Sequence, residues 1–156
     1  MLICSSMSGF ESEDDPPDEW EELVKAGEAR DLERVSELEV RSWVDRPYRG
    51  PERVDRAVRN LVREMNLIAL QNEAALGEER PADLPAVKKL AEIRVPVLVV
   101  AGERDRPEVN AYADLLAKSI PHARKVVVGG TAHVPNMERP GEFNRIVLEF
   151  LDGVGA

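Results

Sequence analysis

The sequence lacks the features of several common classes of protein. Its 156 residues include a single cysteine, Cys4, so no intrachain disulfide can form, and the paired cysteines of zinc-binding motifs are absent. No apolar run approaches the roughly 18 residues of a membrane-spanning helix. No cluster of Lys and Arg stands out in a chain of net charge -9, although a nucleic-acid partner would require a basic face. We therefore expect no disulfide framework, no membrane span and no nucleic-acid partner.

The N-terminal segment also lacks a secretory signal. The stretch "MLICSSMSGF" is apolar but short, and no basic residue precedes it. A signal peptide would need a cationic start and a longer apolar centre, so we expect a cytoplasmic protein. The acidic stretch "ESEDDPPDEWEE" that follows is typical of a solvated loop and the first turn of a helix.

What is present fits one globular domain, with 43% apolar and 33% charged residues. Residues 1–5 read as a buried strand. Residues 17–77 read as helices, of which the second has an N-cap candidate at Asp31. Pro17 is expected to start the first helix, Pro47 to stop the second and Gly77 to end the third. Apolar residues expected on the inner faces or along one face of these helices are Trp20, Leu23, Val24, Leu32, Val35, Leu38, Trp43, Val54, Val58, Leu61, Met65 and Ile68.

The C-terminal segment alternates strands with helices. Strands are predicted at 96–101 and 125–129, and helices at 107–120 and 140–151, after a short helix around residues 87–90. This rhythm predicts parallel strands joined by right-handed crossovers. The last helix should turn Phe143, Ile146, Val147, Phe150 and Leu151 inward.

Two titratable residues follow these strands directly. Asp105 comes after "VLVVAGER" and His133 after "KVVVGGTA". In open parallel sheets, active sites lie beyond the carboxyl ends of strands, so the two loops should be neighbours. The carboxylate would then accept the Nδ1 hydrogen of the imidazole and leave Nε2 able to take a proton from a hydroxyl. Taken alone, each residue also suits an ordinary role, Asp105 in a turn and His133 in a loop or helix cap.

These segments resemble the C-terminal part of an α/β-hydrolase. The resemblance lies in two motifs. One is a G-x-x-D turn from Gly102 to Asp105, and the other is a G-x-x-H-x-x-x-x-E-x-P segment from Gly130 to Pro140. The aspartate of the first and the histidine of the second are 28 residues apart. It implies a partial α/β-hydrolase fold of class α/β, with three parallel strands, flanking helices and an inserted helical cap. Residues 1–10 and 88–156 would form the core, and residues 11–87 the cap and its connection.

The resemblance also implies a nucleophile that the sequence does not contain. The family carries its serine in a G-x-S-x-G turn upstream of the acid and the histidine. None of the chain's serines stands in such a turn, and the glycine-bearing oxyanion segment is missing too. The serines are Ser5, Ser6, Ser8, Ser12, Ser36, Ser42 and Ser119. We therefore expect the chain to be a truncated or split C-terminal portion of a larger hydrolase, inactive alone.

The resemblance implies a serine-type hydrolase acting on an ester or similar bond of a small apolar substrate, with Asp105 and His133 completing the catalytic triad. It implies no cofactor. The alternative is a degenerate or split module that binds a ligand or partner without catalysis. Water activation by the pair alone is a weaker third reading, because oxyanion donors would be missing. An uncovered edge of the first strand would favour self-association.

Other residues fit structural roles better than functional ones. Cys4 is expected as a small buried apolar residue rather than a nucleophile, and His122 as a surface residue. A metal site built from His122, His133 and Cys4 shows no recognisable ligand spacing, so no metal is expected. Ser5 and Ser6 suit loop caps, and Glu138 is expected to brace the loop after His133 or the start of the following helix rather than to act in catalysis. Trp20, Trp43, Tyr48 and Met65 are expected mostly in the core of the cap, where one or two would contact substrate.

Overall fold

A computed structural model describes residues 1–6, 10, 18–45, 50–72 and 85–155. The chain divides into two compact units, which are described in turn. Unit 1 comprises Met1–Asp14 and Ala82–Ala156, and unit 2 comprises Asp15–Pro81. The domain boundaries and the cap role expected from the sequence stay predictions. The predictions made for Ser8, Ser12, Pro17, Pro47, Tyr48 and Gly77 lie outside the described residues.

Unit 1 contains a parallel sheet. Its described strands are β1 (Leu2–Ile3), β2 (Val97–Gly102) and β3 (Ala123–Val128), in the spatial order β1-β2-β3. Both pairings are parallel, with Ile3 opposite Val100 and Val100 opposite Val126. The parallel strands and their order are confirmed as predicted. β1 is shorter than expected, and the proposed self-association along its edge stays a prediction.

The helices of unit 1 follow the predicted alternation with two differences. They are a 3-10 helix (Ala86–Glu92), α4 (Pro107–Ser119), α5 (Pro135–Glu138) and α6 (Pro140–Val154). The short helix near residue 87 is 3-10 rather than α-helical, and α5 adds one turn directly after the histidine loop. A proline stands at the start of α4, α5 and α6, where the missing N–H would have no intrahelical partner.

The central strand β2 is buried on both faces, which is typical of a strand in the middle of a parallel sheet. Its alternate side chains join two separate clusters. Val97, Val99 and Ala101 pack with α4 residues and Leu90. Leu98 and Val100 pack with Val128 of β3 and with Phe143 and Ile146 of α6. The sheet is thereby fixed between helices on both faces.

The inward face of α6 is narrower than the sequence suggests. Phe143 and Ile146 are buried, and Val147 and Phe150 pack partly against the same cluster. The inward prediction for Leu151 is wrong, because its side chain is 53% exposed. At 3.6 residues per turn, Leu151 lies roughly 80° around the helix from Phe143, at the margin of the apolar stripe.

Unit 2 is helical. It contains α1 (Trp20–Glu28), α2 (Leu32–Val40), a π-helical turn (Arg41–Asp45), a 3-10 turn (Pro51–Arg53) and α3 (Arg56–Asn72). Asp31 caps α2 as predicted, because its carboxylate accepts a hydrogen bond of 3.1 Å from the Arg34 N–H. A small apolar cluster joins the helices through Ala26, Val35, Leu38, Leu23 and Leu70. No helix in the described residues is both long and apolar enough to cross a bilayer.

Several apolar residues of unit 2 lie outside this cluster. Trp20 is 51% exposed, Val24 42% and Met65 55%, so the expected inner-face or core positions of these three are wrong. Apart from Leu70, α3 contacts α2 partly through polar groups. Ser36 Oγ donates to the Arg63 carbonyl at 3.0 Å, and Asn66 Nδ2 donates to Glu39 Oε2 at 2.7 Å.

A buried ion cluster also joins these helices. The Arg59 guanidinium donates to both oxygens of Asp45, at 2.9 to 3.0 Å, and to Glu37 at 2.7 Å. The Asp45 side chain is only 1% exposed. Hydrogen bonding to Arg59 lowers the pKa of Glu37, and the two carboxylates raise the pKa of Arg59 further above its usual range. Such a pair costs much to break, since one charge would be left buried.

Candidate active site

The first site residue is held at the carboxyl end of the central strand. Asp105 follows β2 in a tight turn and is fully buried. Its Oδ1 accepts a hydrogen bond of 2.8 Å from the Arg106 N–H at the start of α4. Asn110 Nδ2, one turn into α4, lies 3.3 Å from the Gly102 carbonyl and 3.4 Å from that of Asp105. Asp105 is therefore held by contacts with both its side chain and its backbone carbonyl.

The second site residue lies in the loop after the neighbouring strand. His133 follows β3, and its side chain is 29% exposed. Thr131 Oγ1 donates to the Val128 carbonyl at 2.9 Å, which ties the loop to the strand end. Glu138 Oε1 accepts from the Ala132 N–H at 2.8 Å. Glu138 therefore braces the loop at the residue before His133, whereas the brace was expected in the segment after it.

Close backbone approach brings the two loops together. The Arg104 N–H donates to the Thr131 carbonyl at 2.8 Å, and Glu103 Oε2 accepts from the Gly130 N–H at 2.7 Å. A Cβ atom on Gly102 would lie 2.0 Å from the Ala132 carbonyl oxygen, so only glycine fits there. Gly130 has a φ of 71°, a left-handed conformation that glycine adopts without strain.

The structure brings Asp105 and His133 into direct contact. Nδ1 of His133 lies 3.0 Å from Oδ2 and 3.2 Å from Oδ1 of Asp105. This geometry suits a hydrogen bond from Nδ1–H to the carboxylate, a tautomer in which Nε2 is the basic nitrogen of the ring. A buried carboxylate behind a partly exposed imidazole is the arrangement that orients a general base and stabilises its protonated form.

Cys4, expected from the sequence to have a structural role, is a direct neighbour of this pair. One nitrogen of His133, a carboxylate oxygen of Asp105 and Sγ of Cys4 lie within 4.8 Å of one another. The cysteine is half-buried rather than fully buried as predicted. Burial, and next the negative charge of Asp105, raise the pKa of the thiol far above its usual value, so it is a poor nucleophile. It is brought here by its position directly after β1, the strand that pairs with β2.

The other candidates from the sequence lie outside this contact. His122 is exposed in the turn before β3, as predicted. Ser5 is half-buried and Ser6 exposed after β1. Ser36 is held in unit 2 by its hydrogen bond to a helix carbonyl.

Similar proteins are found by sequence and by structure, although no protein-family model matches the chain. A pimeloyl-[acyl-carrier protein] methyl ester esterase of Yersinia enterocolitica is 35% identical over 71 residues, which are 46% of this chain and 27% of that protein. The structure of a thermophilic esterase from Thermogutta terrifontis matches with a TM-score of 0.67 at 23% identity, over 91% of this chain and 53% of that one. The enol-lactonase of Burkholderia xenovorans LB400 matches with a TM-score of 0.59 at 25% identity, over 85% and 50% of the two chains.

The chain has a partial α/β-hydrolase fold. It spans about half the length of the solved hydrolase structures that it matches. The fold class predicted from the two motifs, a partial α/β-hydrolase fold, is thereby confirmed. Within this α/β-hydrolase fold, Asp105 and His133 stand at the ends of adjacent strands, where their loops contact each other.

Proposed function

We propose that this chain supplies the acid and the base of a serine-type α/β-hydrolase. His133 takes the proton of a serine hydroxyl on Nε2 and returns it to the leaving group. Asp105 holds the Nδ1 hydrogen and stabilises the imidazolium that forms. The observation that carries this proposal is the contact of 3.0 Å between Nδ1 of His133 and a carboxylate with no exposed surface.

The attacking serine is proposed to come from a segment outside these 156 residues. The sequence contains no G-x-S-x-G turn. The chain also covers only about half of the esterase and lactonase structures that share its fold. A hydrolase of this fold forms its tetrahedral intermediate against backbone donors near the nucleophile, so those donors are assigned to the same missing segment.

The substrate is proposed to be a carboxylic ester or lactone with a small apolar acyl group. The support is chemical: a serine, histidine and aspartate set suits attack on an activated carbonyl and needs no cofactor. The related proteins named above are an esterase for acyl-carrier-protein methyl esters, a thermophilic esterase and an enol-lactonase. These names support the ester and lactone class without selecting one member of it.

The test is serine labelling by a fluorophosphonate after reconstitution. This chain is co-expressed with the segment encoded directly upstream, and the labelled residue is identified by mass spectrometry. We expect no labelling of the chain alone and labelling of an upstream serine in the pair. An Asp105→Asn variant should reduce ester hydrolysis by roughly 10⁴-fold, as loss of the orienting carboxylate does in other serine hydrolases.

The matched control replaces the exposed histidine. His122→Ala should leave hydrolysis unchanged, whereas His133→Ala should abolish it. An upstream segment without a serine in G-x-S-x-G, or a reconstituted pair that binds ester analogues but is never labelled, would contradict the proposal. A pair that binds ester analogues without being labelled would support the non-catalytic module instead.

A further inference from the structure

A cysteine, a carboxylate and an imidazole meet at the end of the sheet. Cys4 directly follows β1, and its N–H donates to the Val100 carbonyl of β2 at 2.9 Å. Its φ of 40° places the backbone in the left-handed region, which is uncommon for a residue with a side chain. The cysteine is thereby held beside the acid loop, and donor atoms of Cys4, Asp105 and His133 lie within 4.8 Å of one another.

We propose that these three side chains bind a thiophilic divalent cation of the Zn²⁺ type. Thiolate sulfur, imidazole nitrogen and carboxylate oxygen are the donors that zinc takes in proteins, with bonds of about 2.0 to 2.3 Å. Two ligands at such distances around a tetrahedral ion are roughly 3.3 to 3.8 Å apart. Nδ1 of His133 and Oδ2 of Asp105, 3.0 Å apart, would separate slightly, and the wider spacings, at most 4.8 Å, would close by side-chain rotation. Three protein ligands leave a fourth position for water.

The charges of the three ligands suit such an ion. A thiolate and a carboxylate together neutralise a divalent cation, and the imidazole binds as a neutral ring. Asp105 has no exposed surface and His133 is only partly exposed, so the ion would be shielded from bulk water on the carboxylate side. Hard cations such as Mg²⁺ prefer sites made only of oxygen ligands and should not compete.

Metal binding changes which atoms of the site carry protons. The Cys4 thiol loses its proton to solvent as the sulfur–metal bond forms. The metal replaces the hydrogen on Nδ1 of His133, and that hydrogen moves to Nε2, so the ring stays neutral. One proton is released for each ion bound, and no electrons are transferred. The nitrogen that should act as the base then carries a hydrogen, so the ion inhibits the acid–base pair.

The inhibitory consequence rests on the proposed function, whereas metal binding does not. The binding test uses the full chain and Co²⁺ as a spectroscopic substitute for Zn²⁺. Because Cys4 is the only cysteine of the sequence, any thiolate-to-cobalt charge-transfer band reports that residue. We expect the band to saturate at one ion per chain, to disappear when Zn²⁺ is added and to be unaffected by Mg²⁺.

Ligand variants test the assignment, and folding of each is checked by circular dichroism. Cys4→Ser should remove the cobalt band. Each of the single variants Cys4→Ser, Asp105→Asn and His133→Gln should weaken Zn²⁺ binding by about 10-fold or more. His122→Ala is the matched control and should bind as the parent does. No cobalt band, one ion shared by two chains, or equal weakening by the His122 and His133 variants would overturn the proposal. Intact metal binding in a chain that never completes a labelled hydrolase would refute the proposed function alone.

Discussion

The close approach at Gly102 gives the most specific prediction about the architecture of the site. Replacing Gly102 by alanine adds one carbon atom that would lie 2.0 Å from the Ala132 carbonyl oxygen and 2.7 Å from that of Thr131. Both atoms belong to the backbone and cannot rotate away. The Ala132 carbonyl must retreat by about 1.4 Å to reach the 3.4 Å of ordinary contact. Since Ala132 directly precedes His133, the movement separates the imidazole from its carboxylate.

The expected cost follows from two contributions. Crowding of a packed interior costs about 1–3 kcal/mol. Loss of the hydrogen bond between Nδ1 and Asp105 adds about 1 kcal/mol. We therefore expect Gly102→Ala to destabilise unit 1 by about 2–4 kcal/mol, which corresponds to a loss of about 30- to 1000-fold in amide protection.

Hydrogen exchange of the β2 amides is the appropriate measurement. Both tryptophans, Trp20 and Trp43, lie in unit 2, so tryptophan fluorescence would not report on the sheet. Gly129→Ala is the matched control, because a Cβ there meets nothing within 4 Å. Equal protection of β2 in the two variants would refute the argument that the loops need glycine at residue 102.

Three further predictions follow from other contacts. Glu138→Ala should destabilise the histidine loop by about 1–3 kcal/mol, because the buried Ala132 N–H loses its acceptor, and exchange of that amide measures it. Arg59→Met should destabilise unit 2 by about 3–5 kcal/mol in a urea titration, because the Asp45 carboxylate remains buried without its partner. Glu37 has a lowered pKa in the folded chain, so its contribution to stability is complete above its ordinary pKa of 4.5 and is lost as the pH falls through the lower folded value. Acid titration of unit 2 should show this loss of stability, and the loss should be smaller in Arg59→Met.

Each of these predictions has a control within the chain. Glu138→Gln keeps an acceptor oxygen and should restore most of the protection. Arg34→Met removes an ion pair with Glu22 that is largely exposed, and should change the stability of unit 2 by less than about 1 kcal/mol. Tryptophan fluorescence follows unit 2 in both titrations. An Arg59 variant as stable as the Arg34 variant would contradict the role given to the buried ion cluster.

The end of the sheet that carries Asp105 and His133 was predictable because local signals agreed there. β-branched strands, helices started by proline and glycine-containing turns fixed the order of the elements. Parallel strands end at the same edge, so the proximity of Asp105 and His133 followed from that order alone. Their catalytic role stays a prediction, because a contact shows only what the two groups are able to do.

Other features depended on packing that local patterns do not contain. Cys4 and His133 are 129 residues apart in the sequence, so no short ligand-spacing motif indicates the cluster that they form with Asp105. In α3, helical periodicity identified an apolar stripe that includes Met65, but the side facing α2 is joined by polar contacts such as that of Asn66 with Glu39. Periodicity gives the faces of a helix, and tertiary contacts decide which face is used.

The most direct test of the account is the tautomer of the His133 ring, observed by ¹⁵N NMR of the ring nitrogens in the full chain at neutral pH. We expect His133 to carry its hydrogen on Nδ1, and Asp105→Asn to abolish this preference, with the exposed His122 unchanged as an internal reference. A ring protonated on Nε2 in the parent chain, or a His133 signal that does not respond to Asp105→Asn, would contradict the central claim that this carboxylate prepares the imidazole to act as a base.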